Sequence, residues 1–373
     1  MKYDVLIVGA GPAGTITGYC LARAGFHVLI LEAARLPRYK PCAGAVAARI
    51  LDILDFDISP VLERAIYSFY FTHKFERGHL FTAESPLAYM VMRDKFDCLL
   101  AEMATQAGAE VIQEAKVTDV KIHDDKVAVV AAGKEFYGQI LIGADGSKGI
   151  VAKKLELSDD RRLVVTVQSE VFVDSSIMAE LGSLMWTDIG SVPFGYAWSF
   201  PKADHLSIGV GALQKRTRGL KNYFWECLES MVPSYQSIQI YVHPLAIWGG
   251  RYKLAGNRFL LVGDAAGITD PLTGEGIYYA IRSGVLAAQV IGRCLPRGQY
   301  DMHEYEMAVR SKLGRSLQTS MILSCLFYAL PRVTHKFGLC NDRITTYFGE
   351  MMQNSEGRSY TDFCRYLKSF MFN

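Results

Sequence analysis

The sequence predicts an α/β fold in which a parallel sheet is interrupted by an inserted β-sheet unit and followed by a C-terminal helical segment. Three observations predict it. DVLIVGAGPAGTITGYCLARAGFHVLILEA, starting at Asp4, reads as strand, glycine turn, helix and strand. Two later segments, LIGADGSKG and RFLLVGDAAGITDPLTGEGIYYAI, each end a strand in Gly and Asp, so the chain returns to the same sheet near its C-terminal third. Between them lie AIYSFYFTH, LVVTVQSEVFV, GYAWSFP and HLSIGVGA, rich in the Val, Ile, Tyr and Phe of strands.

Bulk properties narrow the class. A chain of 373 residues suggests two domains, and with 50% apolar residues it can bury a large core. A net charge of +2 gives no basic footprint, which argues against nucleic acid as a partner. The eight cysteines show no CxxC pair or metal-like spacing to histidine, as expected of reduced thiols in a cytoplasmic protein. The eight histidines show no HExxH or other ligand spacing, so no metal is expected. Asp4 interrupts the short apolar run at the N-terminus, which reads as a first strand and not as a secretory signal. The late stretch SLQTSMILSCLFYAL is too short to span a bilayer. It reads as a buried core helix or, given flanking Lys312, Arg315, Arg332 and Lys336, as an interfacial helix making a peripheral membrane contact.

The first strand, Asp4 to Val8, is a continuous apolar run suited to burial on both faces of a parallel sheet. Gly9, Gly11 and Gly14 fill GxGxxG, around Ala13. Gly9 permits a tight turn, Gly11 a close approach of backbone to pyrophosphate, and Gly14 close packing of helix on strand. Glu32 ends the second strand 18 residues after Gly14, where a carboxylate accepts from an adenosine ribose. Asp145 and Gly146 end a later strand, and Gly263 and Asp264 another, before Gly274, Gly276 and Ile277 open a helix. A ligand as long as FAD would use all these strand ends. Asp264 would accept from its ribityl chain, and the N-terminus of the helix starting near Gly274 would face the flavin N1–C2=O edge and favour negative charge there. No second well-placed GxGxxG exists, so a nicotinamide donor would have to visit the flavin transiently.

Together these motifs resemble the flavoprotein group of aromatic hydroxylases, flavin-dependent halogenases and geranylgeranyl reductases, and the chain is most similar to the last. PRYKPCAG, with Cys42, Ala43 and Gly44, looks like that family's proline–lysine–cysteine–glycine loop, although the family more often has a second glycine at Ala43. Arg93, Phe96 and Asp97 resemble its R-x-x-F-D segment, and Tyr196, Trp198, Phe200 and Pro201 its Y-x-W-x-F-P motif. The resemblance spans roughly residues 3 to 290. It implies a Rossmann-like FAD-binding domain of the glutathione-reductase type, and reduction of carbon–carbon double bonds in a polyprenyl group. That group could sit on a lipid, a diphosphate, a chlorophyll precursor or a quinone. It further implies a hydrophobic prenyl substrate and an external electron donor: NAD(P)H, ferredoxin or another electron-donor protein.

The expected division assigns 1–64, 93–158 and 256–300 to the FAD-binding domain, 65–92 and 159–255 to a substrate domain, and 301–373 to a helical region. Period-two spacing places Phe194, Tyr196, Trp198 and Phe200 on one strand face. Phe194 and Phe200 read as core, and Tyr196 and Trp198 as lining a substrate cavity. Arg93 begins a helix and either reaches the flavin or makes a helix-start salt bridge. His205 reads as a surface residue. Seven cysteines, Cys20, Cys98, Cys227, Cys294, Cys325, Cys340 and Cys364, read as small core residues. Cys42 is the exception, stiffened by Pro37 and Pro41 and placed to donate a proton or shape the pocket, with Arg38 and Lys40 favouring a thiolate. Two other readings stand beside the reductase. One is a flavin monooxygenase or halogenase, whose related W-x-W-x-I-P motif differs here at Tyr196 and Phe200. The other is a prenyl-lipid carrier without catalysis.

Overall fold

The structure, a computed structural model, describes residues 2–157, 161–250, 252–354 and 358–371. Its first sheet is built around the strand Lys2–Val8, whose Val5, Leu6 and Ile7 are wholly buried, as a continuous apolar run demands. Val28–Leu31 pairs with it in parallel on one side and Lys134–Gly143 on the other. Glu110–Ile112 and Phe259–Leu261 extend the parallel sheet at its two ends. Val117–Ile122 and Val127–Ala131 add an antiparallel extension to Lys134–Gly143. Helices Pro12–Arg23 and Ile277–Cys294 belong to this unit.

A second, seven-stranded sheet runs in the order Ser237–Ile247, Arg162–Phe172, Leu206–Leu213, Gly195–Pro201, Leu184–Ile189, Ser68–His73, Glu76–Thr82. Val167, Leu206, Ile208 and Val210 of this sheet share a buried cluster with Leu220, Phe224, Cys227, Leu228 and Met231 of the helix Leu220–Met231. A small sheet of Ala45–Ala47, Ala88–Val91 and Leu62–Ile66 belongs to the same unit. At the C-terminus, Asp342–Gln353 and Tyr360–Met371 pack through Tyr347 stacked on Tyr366 and Phe348 tilted against Phe363. The Arg49 guanidinium donates to the Met351 carbonyl at 2.9 Å and ties that layer to the short helical turn Ala48–Asp52.

The chain divides into two compact units, Met1–Tyr39 with Asp94–Arg162 and Leu245–Gln318, and Lys40–Arg93 with Leu163–Pro244 and Thr319–Asn373. This differs from the expected boundaries in three places, one of them residues 245–255, which fall in the first unit and not with the substrate domain. Residues 40–64 join the second unit because Ala45–Ala47 and Leu62–Ile66 both pair with Ala88–Val91. The helical region 301–373 is shared between the units and is not a third one. The expected boundary at 158/159 lies outside the described residues.

Phe224 is 1% exposed and sits in the middle of the helix-on-sheet cluster. Phe224→Ala leaves a cavity and is expected to lower unfolding free energy by about 3–5 kcal/mol, read by urea denaturation. A loss under about 1 kcal/mol would mean the cluster is not a packed core.

Candidate functional site

In the first unit the glycine turn is shaped by contact. Gly9 has φ +104°, and a Cβ there would lie 2.5 Å from the Ala144 carbonyl oxygen; a Cβ on Gly14 would lie 2.0 Å from the Gly9 oxygen. Strand, turn and helix therefore touch through backbone. Gly11 is the N-cap of Pro12–Arg23, has no side-chain cap, and has nothing within 4 Å of the place a Cβ would take. Ala13, 6% exposed, packs its methyl toward Gly263. Glu32 is buried, and its carboxylate accepts from the Ala10 N–H at 2.8 Å, the Ala34 N–H at 3.1 Å and Arg38 Nε at 3.2 Å. Arg38 is itself held by Asp97, fully buried, at 3.0 Å. The Arg38 charge is thus spent on Glu32 and Asp97, where the sequence suggested service to Cys42.

The later strand ends are ordered locally. Asp145 turns inward and accepts from the Val151 N–H at 2.8 Å, and burial pushes its carboxyl pKa up. Gly146 beside it has φ +78° and open space where a Cβ would be. Gly263 and Asp264 lie in a short helical turn, Gly263–Ala266, and Asp264 accepts from the Thr269 hydroxyl at 2.9 Å. Asp270 shapes the loop that follows by accepting from the Leu272 and Thr273 N–H groups, and Gly274 donates to its carbonyl. The helix starts at Ile277, with Gly276 as an N-cap that has no side-chain bond, slightly later than expected.

In the second unit Cys42 is half-buried, and the Gly44 N–H donates to its Sγ at 3.4 Å. Gly44 has φ +72°, and a Cβ on it would lie 2.2 Å from both Lys202 Nζ and the Val91 oxygen. The close approach that demands glycine is thus made by a lysine and a strand of the same unit. Lys202 is wholly buried and donates to the Ala43 carbonyl at 2.6 Å and the Val91 carbonyl at 2.9 Å. Burial pushes its pKa down to about 8 against the pull of Glu170, Cys42 and Glu63. The sequence reading missed Lys202 because FPKADH looks like an exposed turn. The signal was a lysine directly after an almost wholly apolar strand.

The aromatic strand differs from expectation at one end. Phe194 precedes the strand Gly195–Pro201 in a left-handed conformation (φ +53°), with the Arg216 guanidinium over its ring. Tyr196, Trp198 and Phe200 share a face, with ring centroids 5.6 and 6.4 Å apart in sequence. Trp198 is 3% exposed and, with Phe200, joins a cluster that Ala43 packs against. A Cβ at Gly209, its cross-strand partner, would lie 2.3 Å from the indole. The indole N–H is buried without a hydrogen-bond partner. Pro201 ends the strand and is buried.

Other expectations change. His205 is buried, not on the surface: it bonds to Glu170 at 3.1 Å and Asp204 at 2.7 Å and stacks on Phe172. The two carboxylates outweigh burial and raise its pKa. Arg93 opens the helix Arg93–Gln106 and is buried. Cys325 is exposed, because only one face of the helix Arg315–Ala329 is covered; Cys20, Cys98, Cys340 and Cys364 are half-buried.

An uncapped helix N-terminus behind an open Gly11, with a buried carboxylate at the end of the next strand, fits the pyrophosphate and ribose of FAD. Glu32 uses three of about four acceptor positions on backbone and Arg38, leaving room for a hydroxyl. Gly11→Val should fold, since its side chain meets open space, yet lose the bound flavin. Absorbance of the purified protein checks this, and a variant that stays yellow at wild-type stoichiometry would contradict it.

Comparison with known proteins agrees with this geometry. The FAD binding domain family matches residues 2–306. The digeranylgeranylglycerophospholipid reductase of Methanosarcina acetivorans is 30% identical, over 88% of this chain and 85% of its own. The crystal structure of a geranylgeranyl bacteriochlorophyll reductase-like protein from Thermoplasma acidophilum superposes with a TM-score of 0.79 at 25% identity, covering 87% of both chains. The flavin-dependent brominase Bmp2 has the same fold, with a TM-score of 0.73 at 20% identity over 99% of each chain. The chain belongs to the FAD binding domain family of oxidoreductases and is related to geranylgeranyl reductases, and FAD is its cofactor.

Proposed function

We propose that this enzyme saturates carbon–carbon double bonds of a polyprenyl group carried by a lipid. The observation that carries the reading is that the cysteine loop and the aromatic strand meet: Ala43 packs against the cluster of Trp198 and Phe200, and Lys202, directly after the strand, holds the Ala43 carbonyl. The likeness to a digeranylgeranylglycerophospholipid reductase supports the same substrate class. Bound FAD, once reduced by an external donor, supplies hydride. The chain's own residues supply the rest. Tyr196, half-buried on the face it shares with the packed Trp198 and Phe200, offers apolar wall to an isoprenoid, worth on the order of 0.8 kcal/mol per buried CH₂-sized group. Cys42 gives its proton to the second alkene carbon, since an isolated alkene takes hydride only if the other carbon is protonated.

A membrane would bring such a lipid. No helix among the described residues is long and apolar enough to cross one. Yet Ile322, Leu326, Leu330, Val333 and Phe337 are each more than half exposed, on a helix and its continuation through Thr334 and Leu339. Arg332 and Lys336 are exposed among them, which suits an anionic lipid surface. This is the interfacial reading of the late apolar stretch.

Three experiments test the proposal. Reduced protein is incubated without oxygen with digeranylgeranyl phospholipid, and the product is weighed; a gain of two hydrogens per bond is expected. Cys42→Ala should keep FAD and its reduction by dithionite but lose about 10²–10⁴-fold in prenyl reduction. Cys42→Ser at near-normal rate would remove the proton-donor role and leave Cys42 only shaping the pocket. The double substitution Leu326→Asp, Phe337→Asp should cut co-sedimentation with anionic liposomes by at least about ten-fold, given about 1.5–3 kcal/mol per buried large apolar side chain. Undiminished sedimentation would rule out this face as the contact.

A further inference from the structure

We propose that Lys202 is the positioning residue and counter-charge of Cys42: its buried ammonium holds the cysteine loop by the Ala43 carbonyl and stabilises the negative charge left on Sγ when the thiol gives up its proton. The inference rests on the proton-donor reading of Cys42. Three observations carry it. Lys202 is wholly buried, yet among the described residues no carboxylate lies in bonded contact with its ammonium; its hydrogen bonds go to the Ala43 and Val91 carbonyls, one on the cysteine loop and one at the end of a strand. A buried ammonium without a paired anion is costly and is retained where its charge is used. The residues on either side of the Ala43–Gly44 bond tie the two groups together: Nζ holds the Ala43 carbonyl, next in sequence to Cys42, and the Gly44 N–H donates to the Cys42 sulfur. Gly44 itself can be no other residue without striking Lys202 Nζ.

The charges around Lys202 are Glu170 on the strand Arg162–Phe172, Glu63 on Leu62–Ile66, and Cys42. Glu170 is shared with His205, which also binds Asp204, and the Arg64 guanidinium donates to the Lys202 carbonyl. FAD, when bound and reduced, would supply the hydride for the first C–H bond, and the alkene π pair would take the proton of the Cys42 S–H to form the second. The S–H pair stays on sulfur as thiolate, beside the ammonium, until solvent returns a proton. Lys202 thus favours the charge-separated state over the resting thiol, which is stabilisation of the kind that lowers a barrier.

The test reads the thiol directly, in the FAD-loaded protein and without prenyl substrate. The rate of Cys42 alkylation by iodoacetamide is followed against pH, with the Cys42 peptide resolved from those of the other thiols by mass spectrometry. Lys202→Met should slow alkylation near neutral pH, where the ammonium is held, about ten-fold. Lys202→Arg, which keeps the charge, should restore most of that rate. Lys202→Gln keeps a donor for one carbonyl without the charge; it should follow Met, and it serves if Met does not fold. Alkylation near neutral pH at the wild-type rate in both neutral variants would overturn the inference. A wild type that fails to reduce prenyl lipids while these changes in rate appear would instead sink only the proposed reaction.

Discussion

The second unit depends on one buried charge. The Lys202 ammonium lies out of water between two backbone carbonyls, and three elements converge on it: the cysteine loop through Ala43, the small sheet through Val91, and the aromatic strand it follows. Burial lowers its pKa from 10.5 to about 8, so the unfolded chain binds more protons than the folded one between those values. Folding stability therefore gains as pH rises through that window, and the charge is carried at a cost below it. Replacing it with an apolar side chain would remove that cost but leave two carbonyls without their donor. A glycine, and not any small residue, stands at position 44 because the backbone there is left-handed and a Cβ would strike Lys202 Nζ and the Val91 oxygen.

The first unit is organised by a different chain of dependence. Asp97 holds Arg38, Arg38 holds Glu32, and Glu32 holds the Ala10 N–H of the glycine turn. The carboxylate that would meet a ribose is thus fixed before any ligand arrives, which lowers the ordering cost of binding. Phe96 and Asp97, both wholly buried, anchor this series from the helix Arg93–Gln106. The R-x-x-F-D segment has a structural reason here: one residue fills core and the next orients a cation.

Much of this was legible in the sequence because backbone constraints leave marks in glycine and in apolar runs. The turn at Gly9, Gly11 and Gly14 and the parallel sheet follow from pattern alone, and so does Glu32. The aromatic strand was placed correctly except at Phe194, where a positive φ breaks the period-two pattern that an alternation argument assumes. The buried polar groups were not legible. His205 and Lys202 have the composition of a surface turn, and only tertiary partners, Glu170 and two backbone carbonyls, take them inside. Arg38 was read by proximity in sequence to Cys42, whereas its partners lie on a neighbouring loop and a distant helix. The late helix was ambiguous because its apolar residues are not confined to one face, and only the covering of one face separates core from interface.

The central claim is that electrons leave this flavin onto an alkene and not onto oxygen. The most direct measurement is stopped-flow absorbance of the reduced, FAD-loaded enzyme mixed with digeranylgeranyl phospholipid in the strict absence of oxygen. The account predicts that oxidised-flavin absorbance returns with one flavin reoxidised per double bond saturated, and that a fully saturated lipid of the same head group gives no change. Reduced flavin that persists with the prenyl lipid, but reoxidises on admitting oxygen with formation of a hydroxylated or, with halide present, halogenated product, would contradict it.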